Sequence, residues 1–488
     1  MSHGLTSGMS TTLALAPLAI MGGAACVTLL LGVLAGARAR AAVTWLSVLV
    51  AAAVVLAAAL ALPAASGAQP IFSDMWVADR MALVFDIIIA GCAGVSLIVL
   101  HAFAGAHAFE QDEFPSLILF SAAGMIMVVH ASHLLSLLIG IETMSLAAYA
   151  LVAGRYHGGK GAEGALKYFL MGALATGFFV YGMALVYGTT GGELSFTGIG
   201  SRAAQAGNNP LFIVGVLLIL SAMLFKVAAV PFHMWLPDAY EGAPTPVTGF
   251  MAAGIKAAAF GGFLRLFGSS FAQPQVALGH AGWAHILGLV AFASMTLGNL
   301  AAIRQDSVKR MLAYSSIAHA GYLLVGMAAV GYGVAAKPTL IFYLAAYAAT
   351  TLGAFAVASW IGHKGDERLH VDDWSGLGRK RPALALVMTL FLLSLAGFPP
   401  TGGFFAKFYM FRAAAERPEL TWLVVAAVLN SVVSVYYYLR IVVAMYFRDR
   451  ADTSEGFPSL AIGVVLVLLA VLVLGMGIVP APMMALVQ

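Results

Sequence analysis

Apolar runs of about 20 residues, each long enough to cross a lipid bilayer, follow one another along nearly the whole chain. Fourteen can be drawn, near residues 11–36, 41–63, 81–104, 113–131, 133–153, 163–188, 209–230, 246–268, 280–302, 308–332, 338–361, 382–410, 419–446 and 457–483. A soluble globular domain carries about 25% charged residues. This chain of 488 residues is 61% hydrophobic and 9% charged, too few charges to cover a water-facing surface. Most of its surface faces lipid, and because lipid offers the backbone no hydrogen bonds, the spans are helices. The expected fold is an all-α polytopic membrane protein with about fourteen transmembrane helices.

Several function classes drop out. The net charge of +4 is dispersed, with no basic tract for nucleic acid. Cys26 and Cys92 stand far apart in apolar runs, so the chain is expected to build no iron–sulfur or zinc site of its own. No phosphate-loop or dinucleotide-binding pattern occurs, and the 53 glycines read as close-packing surface. The first apolar run lacks a preceding basic segment and is read as a retained span rather than a cleaved signal. Loops after odd-numbered segments hold Arg38, Arg40, Arg155, Lys160, Arg304, Lys309, Arg310, Lys364, Arg368, Arg379, Lys380, Arg381, Arg448 and Arg450. Loops after even-numbered segments hold only Arg80, Arg202, Lys337, Arg412 and Arg417. The first set is expected to be cytoplasmic, with both termini on the opposite, periplasmic side.

Two segments are interrupted. The seventh meets Pro231 and runs into "FHMWLPDAYEGAPTP"; the twelfth reads "LLSLAGFPPTGGFFAKFYMF". Proline removes a donor and clashes with the preceding turn, and broken helices survive in a membrane only where they face protein or a wet cavity. Segments 4–8 and 9–13 each carry the break in their fourth helix, the pattern of an inverted repeat. The expected units are an N-terminal three-helix segment (1–110), two repeats (111–270 and 271–450) and a last helix (451–488).

Inside the spans lie few charges. Lys226, Lys256 and Lys407 are deep, Lys226 and Lys407 beside the breaks and Lys256 near the midplane, and Glu142 is near the middle of segment 5. Each costs at least about 2.5–3.5 kcal/mol at the bilayer centre if unpaired, so the set must be paired, hydrated or neutral part of the time. A buried lysine loses proton affinity by desolvation and regains it beside a carboxylate. A row of such groups bridged by water is a proton path, whereas the bland alternative is polar glue between helices. Lys167 is a weaker candidate, because Glu163 four residues earlier explains it as a surface pair. His319 is a possible relay, though a lone helical histidine is more often a packing residue, and His233 is similar. Arg265 and Arg440 are read as snorkelling anchors, His101, His130 and His133 as interfacial, Asp86 as a cap or neighbour contact, and Trp235, Asp238 and Glu241 as re-entrant packing.

"KVAAVPFHMWLPDAYEGAPTPVTGFMAAGIKAAAF", "SVKRMLAYSSIAHAGYLLVGM" and "LLSLAGFPPTGGFFAKFYMF" resemble the antiporter-like membrane subunits of respiratory complex I, the proton-pumping NADH:quinone oxidoreductase, and within that group subunit N. The resemblance covers about segments 4 to 13. It implies fourteen helices in two inverted five-helix repeats with helices 7 and 12 broken. It also implies no redox cofactor in this chain, with FMN, iron–sulfur clusters and quinone held by partner subunits. The partners implied are a neighbouring antiporter-like subunit, small helical subunits and lipid, in a bacterial inner membrane. By motif, Glu142 matches the helix 5 glutamate, Lys226, Lys256 and Lys407 the lysines of helices 7, 8 and 12, and Lys167 a lysine at the start of helix 6. The family then implies a gating ion pair of Glu142 with Lys226, a central relay at Lys256 and exchange with the far side at Lys407. Lys407 argues against subunit M, which usually has glutamate there, and the chain end at Gln488 soon after segment 14 argues against subunit L with its long lateral helix. Two other functions compete: a subunit of an Mrp-type cation/proton antiporter, and a membrane spacer whose charges are structural.

Overall fold

The structure, a computed structural model, describes residues 3–36, 39–65, 70–107, 112–154, 159–271, 282–362, 367–449 and 459–487. Its helices are α1 (His3–Ala35), α2 (Arg40–Ala61), α3 (Arg80–His107), α4 (Phe114–His130), α5 (Leu134–Ala153), α6 (Lys160–Thr189), α7 (Phe196–Ala206), α8 (Pro210–Lys226), α9 (Leu236–Gly242), α10 (Thr245–Phe250), α11 (Lys256–Ser269), α12 (Gly282–Ile303), α13 (Val308–Gly331), α14 (Lys337–Ile361), α15 (Leu377–Lys380), α16 (Pro382–Ala396), α17 (Gly402–Ala414), α18 (Thr421–Phe447), α19 (Leu460–Ile478) and α20 (Ala481–Val487). Among the described residues, β pairing is confined to isolated bridges such as Ile71–Trp76 and His133–Ser195. Among the described residues, eleven helices are long and apolar enough to cross a membrane, and three more, Phe114–His130, Pro210–Lys226 and Pro382–Ala396, are apolar but shorter. Each coincides with one of the fourteen apolar runs. The unit boundaries drawn at 110/111 and 450/451, and Arg38, Arg155, Lys364 and Arg450 of the loop-charge argument, lie outside the described residues.

The two repeats share a packing order. α4 lies along α5 as α12 lies along α13, α4 meets α11 as α12 meets α18, and α6 holds α8 as α14 holds α16 and α17. Each repeat crosses the membrane five times, an odd number, so the second starts on the face opposite the first; that alone makes the repeats inverted. The apolar stretches of Thr245–Ser269, Val308–Gly331 and Lys337–Ile361 are 100%, 94% and 100% buried, against 17% for Thr11–Ala35. These three helices are the core of the protein; α1, α2, α6 and α18 turn leucines such as Leu34, Leu49, Leu170 and Leu429 outward. α10 passes into α11 through a π-helical turn, Met251–Ile255, that ends at Lys256. Such turns are rare and concentrate at functional sites.

Both predicted breaks are present, and both end their first half in the same way. After α8, Ala228 N–H bonds the Phe225 carbonyl and Ala229 N–H the Leu224 carbonyl; after α16, Gly397 N–H bonds the Ser394 carbonyl and Phe398 N–H the Leu393 carbonyl. This is the Schellman arrangement, which needs one residue in the left-handed region. Gly397 has φ +94°, whereas in the first repeat an alanine, Ala228, takes φ +56°. Segment 12 therefore divides into α16 and α17. The second half returns so close that a Cβ on Gly403 would sit 1.9 Å from the Ser394 carbonyl oxygen. α7 was not anticipated. It is too short and polar to span, and it shows only a narrow buried stripe of Phe196, Ile199, Ala203 and Ala206.

Gly403→Ala is expected to lower the thermal stability of the purified protein by about 1–3 kcal/mol or more, the cost of overpacking against backbone that cannot retreat. Gly177→Ala, where a Cβ meets nothing within 4 Å, should leave it unchanged; melting of both variants in mild detergent is the check.

Candidate functional site

The three deep lysines are buried, at 6%, 3% and 5% exposure for Lys226, Lys256 and Lys407. They differ in how their ammonium hydrogens are met. Lys407 Nζ donates to the carbonyls of Leu395 (3.0 Å) and Ala396 (2.9 Å) and to Ser431 Oγ (2.9 Å), and lies 4.9 Å from the centre of the Tyr322 ring. The two carbonyls are the last of α16, the negative end of that half-helix. The break thus supplies what a continuous helix would withhold, because inside a helix those oxygens are taken. Lys256 Nζ donates to the carbonyl and hydroxyl of Ser316 on α13. Lys226 Nζ has one such acceptor, Ser145 Oγ at 2.9 Å.

Lys256 and Lys407 are joined by a polar cluster through the core helices. Tyr347 OH donates to Ser316 Oγ at 2.9 Å, beside Lys256. The His319 ring lies 4.9 Å from that of Tyr347, with Nδ1 at 2.7 Å from Tyr343 OH and Nε2 at 3.3 Å from Tyr438 OH. Tyr438 OH in turn bonds Ser315. Tyr322 stands edge-on to His319 and carries Lys407 on its face, while Asn299 Nδ2 donates to its hydroxyl at 3.1 Å. His319 is within reach of both lysine charges. A hydroxyl both donates and accepts, and an imidazole has two distinct nitrogens, so the cluster has the functional groups a proton relay requires.

Glu142 is half-buried on α5. Its Oε1 accepts from Thr176 Oγ1 on α6 at 2.6 Å, so the direct pair with Lys226 is open here. A cavity of about 10 Å³, lined by Leu138, Ile141, Ala175, Thr176, Phe179, Ala222 and Lys226, lies beside Lys226 and the Thr176 that holds Glu142.

The family model described as "NADH:quinone oxidoreductase/Mrp antiporter, TM" matches residues 131–434, well over half of the chain. The chain belongs to this antiporter-like transmembrane family. Among its relatives, NADH-quinone oxidoreductase subunit N of Trichlorobacter lovleyi is 44% identical over 421 residues, 86% of this chain and 84% of the relative. A chain of respiratory complex I from Thermus thermophilus superposes with a TM-score of 0.81 at 34% identity, covering 96% of this chain and 98% of that one. A chain of the Mrp complex from a Dietzia species superposes with a TM-score of 0.82 at 21% identity, covering 96% of each, a likeness of fold.

Several sequence readings of this antiporter-like chain need correction. His130, the last residue of α4, is fully buried in protein, bonded to Asp86 at 2.8 Å and stacked on Trp76, which makes Asp86 the neighbour contact expected of it. Arg265 does not snorkel: it forms a two-pronged bond with Asp79 (2.9 and 2.6 Å) and donates to the Val129 carbonyl. Arg440 is an anchor, but on protein, donating to the carbonyls of Ile303 and Gln305 at the end of α12. His133 caps α5 by accepting from Leu135 N–H, as suits a residue at a helix end. Lys167 does not join the polar cluster. It pairs with Glu163 (2.6 Å) and Asp238 (2.7 Å) at one face, where Arg310 of the second repeat reaches Asp238 (2.7 Å) and Glu241 (2.8 Å), and Lys160 reaches Glu241 (3.1 Å). This network, with the buried Lys309–Glu367 pair at 3.1 Å, clasps the break of the first repeat to the start of α13.

Sequence reasoning missed the hydroxyl partners. Ser145 is three residues after Glu142, and Ser315, His319 and Tyr322 recur at helical spacing on α13, so a search for polar stripes in apolar helices would have found them.

Burial raises the Asp238 carboxyl, but the bonds and charges of Lys167 and Arg310 outweigh it and hold it below the usual 3.8. A group lowered in the folded state stabilises above its unfolded value and loses that stabilisation as pH falls through the folded one. Asp238→Asn should therefore cost about 1 kcal/mol at about pH 7, the scale of a partly exposed network. The gap to the parent should close only below pH 3.8, measured as melting temperature against pH.

Proposed function

We propose that the chain is a proton-translocating subunit of an NADH:quinone oxidoreductase, itself without a redox centre, working in a hetero-oligomeric complex of the bacterial inner membrane. The observation that carries this reading is the hydroxyl-and-histidine cluster linking Lys256 to Lys407 through the most buried helices. Polar glue needs one or two bonds per pair of helices; it does not need a chain of groups that each donate and accept.

Glu142 and Lys226 act as the gate. When the carboxylate closes on Lys226 it favours the ammonium, and when it withdraws towards Thr176 it favours transfer of the proton. The bonds around Lys226 and those around Lys256 share no residue, so passage between them uses water or side-chain motion. Lys256 then exchanges through Ser316 and Tyr347, hydrogen-bonded in turn, and through His319 with Lys407; His319 meets Tyr347 and Tyr322 by ring contacts, so those two steps also use water or side-chain motion. Moving one charge against about 150 mV takes roughly 3.5 kcal/mol, and a shift of two to three pKa units, about 2.7–4.1 kcal/mol, is of that size. The driving force is quinone reduction in partner subunits that hold FMN and iron–sulfur clusters. A neighbouring antiporter-like subunit and small helical subunits flank the chain, the face richer in Lys and Arg is cytoplasmic, and both termini are periplasmic.

The Mrp-type antiporter is the second reading, favoured by a fold likeness of TM-score 0.82. It is weakened by 21% identity, against 44% to a subunit N. Purification in mild detergent separates the two: flavin and iron–sulfur partners should come with this chain, and their absence with Mrp-like partners present would favour the antiporter.

Lys226→Ala is expected to leave the complex assembled while quinone reduction and proton pumping fall together by about 1.4 kcal/mol of barrier or more, at least tenfold. Pumping at the parental rate by reconstituted Lys226→Ala complex would remove the gate from this mechanism.

A further inference from the structure

A second buried titratable site lies outside the lysine row. Asp86 of α3 and His130 of α4 are both 0% exposed, with His130 Nε2 at 2.8 Å from Asp86 Oδ2. His130 Nδ1 lies 2.9 Å from the Val77 carbonyl, which only accepts, so Nδ1 carries a hydrogen. The contact between Nε2 and Oδ2 then needs exactly one more proton, shared as imidazolium with carboxylate or as imidazole with carboxylic acid. The pair is by construction a holder of one proton. Asp86 Oδ1 is buried and meets no donor among the described residues, which leaves an acceptor for a second.

The surroundings lead outward. Asp79, seven residues before Asp86, precedes α3 and caps its first turn by accepting from Ala82 N–H, about 10 Å from Asp86 along the axis, and its side chain is 35% exposed. The charged groups facing the pair are Asp79 just before α3, Arg265 on α11 and, through Asp79 and Arg265, Lys337 at the start of α14. The turn over the pair stacks Trp76 on His130 at 4.2 Å and holds Phe72, Ser73 and Asp74 at positive φ, three successive non-glycine residues in a strained region. The pair also lies close in depth to the row. A Cβ on Gly261 would meet Phe85, and one on Gly254 would meet Cys92, so α3 and α11 run antiparallel in a register that sets Asp86 opposite Phe260. That is four residues, about 6 Å of rise, outward from Lys256. Lys256 itself turns to α13, on another side of α11, so the two sites are separate stations.

We propose that the Asp86–His130 pair is a proton-binding site, the outer-face station of the transport route. It takes a proton on Asp86 Oδ1 as the Lys256 ammonium becomes an amine, by way of water admitted as α3 and α11 separate. The pair then holds two protons, one on Oδ1 and one on Nε2, beside the Arg265 cation. It returns to one by releasing a proton to water at the Asp79 mouth.

This inference rests on the transport function proposed above, and the test separates the two. Whole complex carrying Asp86→Asn, His130→Gln, both together, Asp86→Glu or Lys226→Ala is reconstituted in liposomes. Assembly, quinone reduction, protons moved per NADH and the pH profile of turnover are measured. Asp86→Asn and His130→Gln should each lower turnover and pumping at least threefold in assembled complex. The double variant should be no worse than either, because the two side chains share one proton. Asp86→Glu should recover at least half of the activity with a displaced pH profile. Normal pumping by Asp86→Asn while Lys226→Ala fails would overturn the outer station alone; normal pumping by both would overturn the transport reading itself. Should Asp86→Asn not assemble, an unchanged pH profile in Asp86→Glu would mark the pair as structural and overturn the proposal.

Discussion

Lipid gives a charged or polar group nothing to bond to, so an ammonium inside this protein draws on the protein's own oxygens for its partners. That requirement organises the core. A continuous helix spends its carbonyls on itself, and only a helix end has spare ones. By stopping at Ala396, α16 frees the carbonyls of Leu395 and Ala396, and α17 returns at Gly403, tight enough to bring Lys407 Nζ to both. The prolines and glycines of the break are therefore part of the lysine's solvation shell, one residue removed.

The same requirement explains why the cluster between Lys256 and Lys407 is built of serine, tyrosine and histidine. Carboxylates would form fixed pairs with the lysines and hold their protons. Neutral groups that donate and accept stabilise a passing charge without fixing it. At the face where Asp238 and Glu241 meet Arg310, the fixed pairs use carboxylates with side chains 27% and 19% exposed, where water bears part of the desolvation cost. Fixed ion pairs, partly exposed at Asp238 and Glu241 and buried at Lys309–Glu367, clasp the repeats, whereas Lys256 and Lys407 are met by neutral groups.

Much of this was legible in the order of residues. Hydropathy alone locates the spans, because twenty apolar residues in a row have few other uses. Pro231, Pro399 and Pro400 announce the breaks. The depths of Glu142, Lys226, Lys256 and Lys407 follow from counting along helices. Partners did not follow, because they come from neighbouring helices: nothing near Lys407 in sequence points to Ser431, or near His319 to Tyr438. Nor did the helix-end position of His130 reveal that the turn through Trp76 covers it. The π-turn before Lys256 has no signature in "GFMAAGIK"; it lies in a helix whose apolar stretch is wholly buried.

The two breaks are not equivalent, and the difference bears on direction. In the first repeat the lysine belongs to the half-helix that stops: Lys226 is its last residue, with its side chain turned to Ser145 on α5. In the second the lysine belongs to the half-helix that returns, and it is held by the carbonyls of the half that stopped. Lys407 has an acceptor for each of its three ammonium hydrogens, and Lys226 has one. A group with unmet donors responds strongly to a carboxylate that moves, and one with all donors met responds weakly. Inverted repeats of one ancestral plan have thus put the responsive lysine beside Glu142 and the well-held one at the far end of the row, an arrangement in which movement at one end can be felt without disturbing the other.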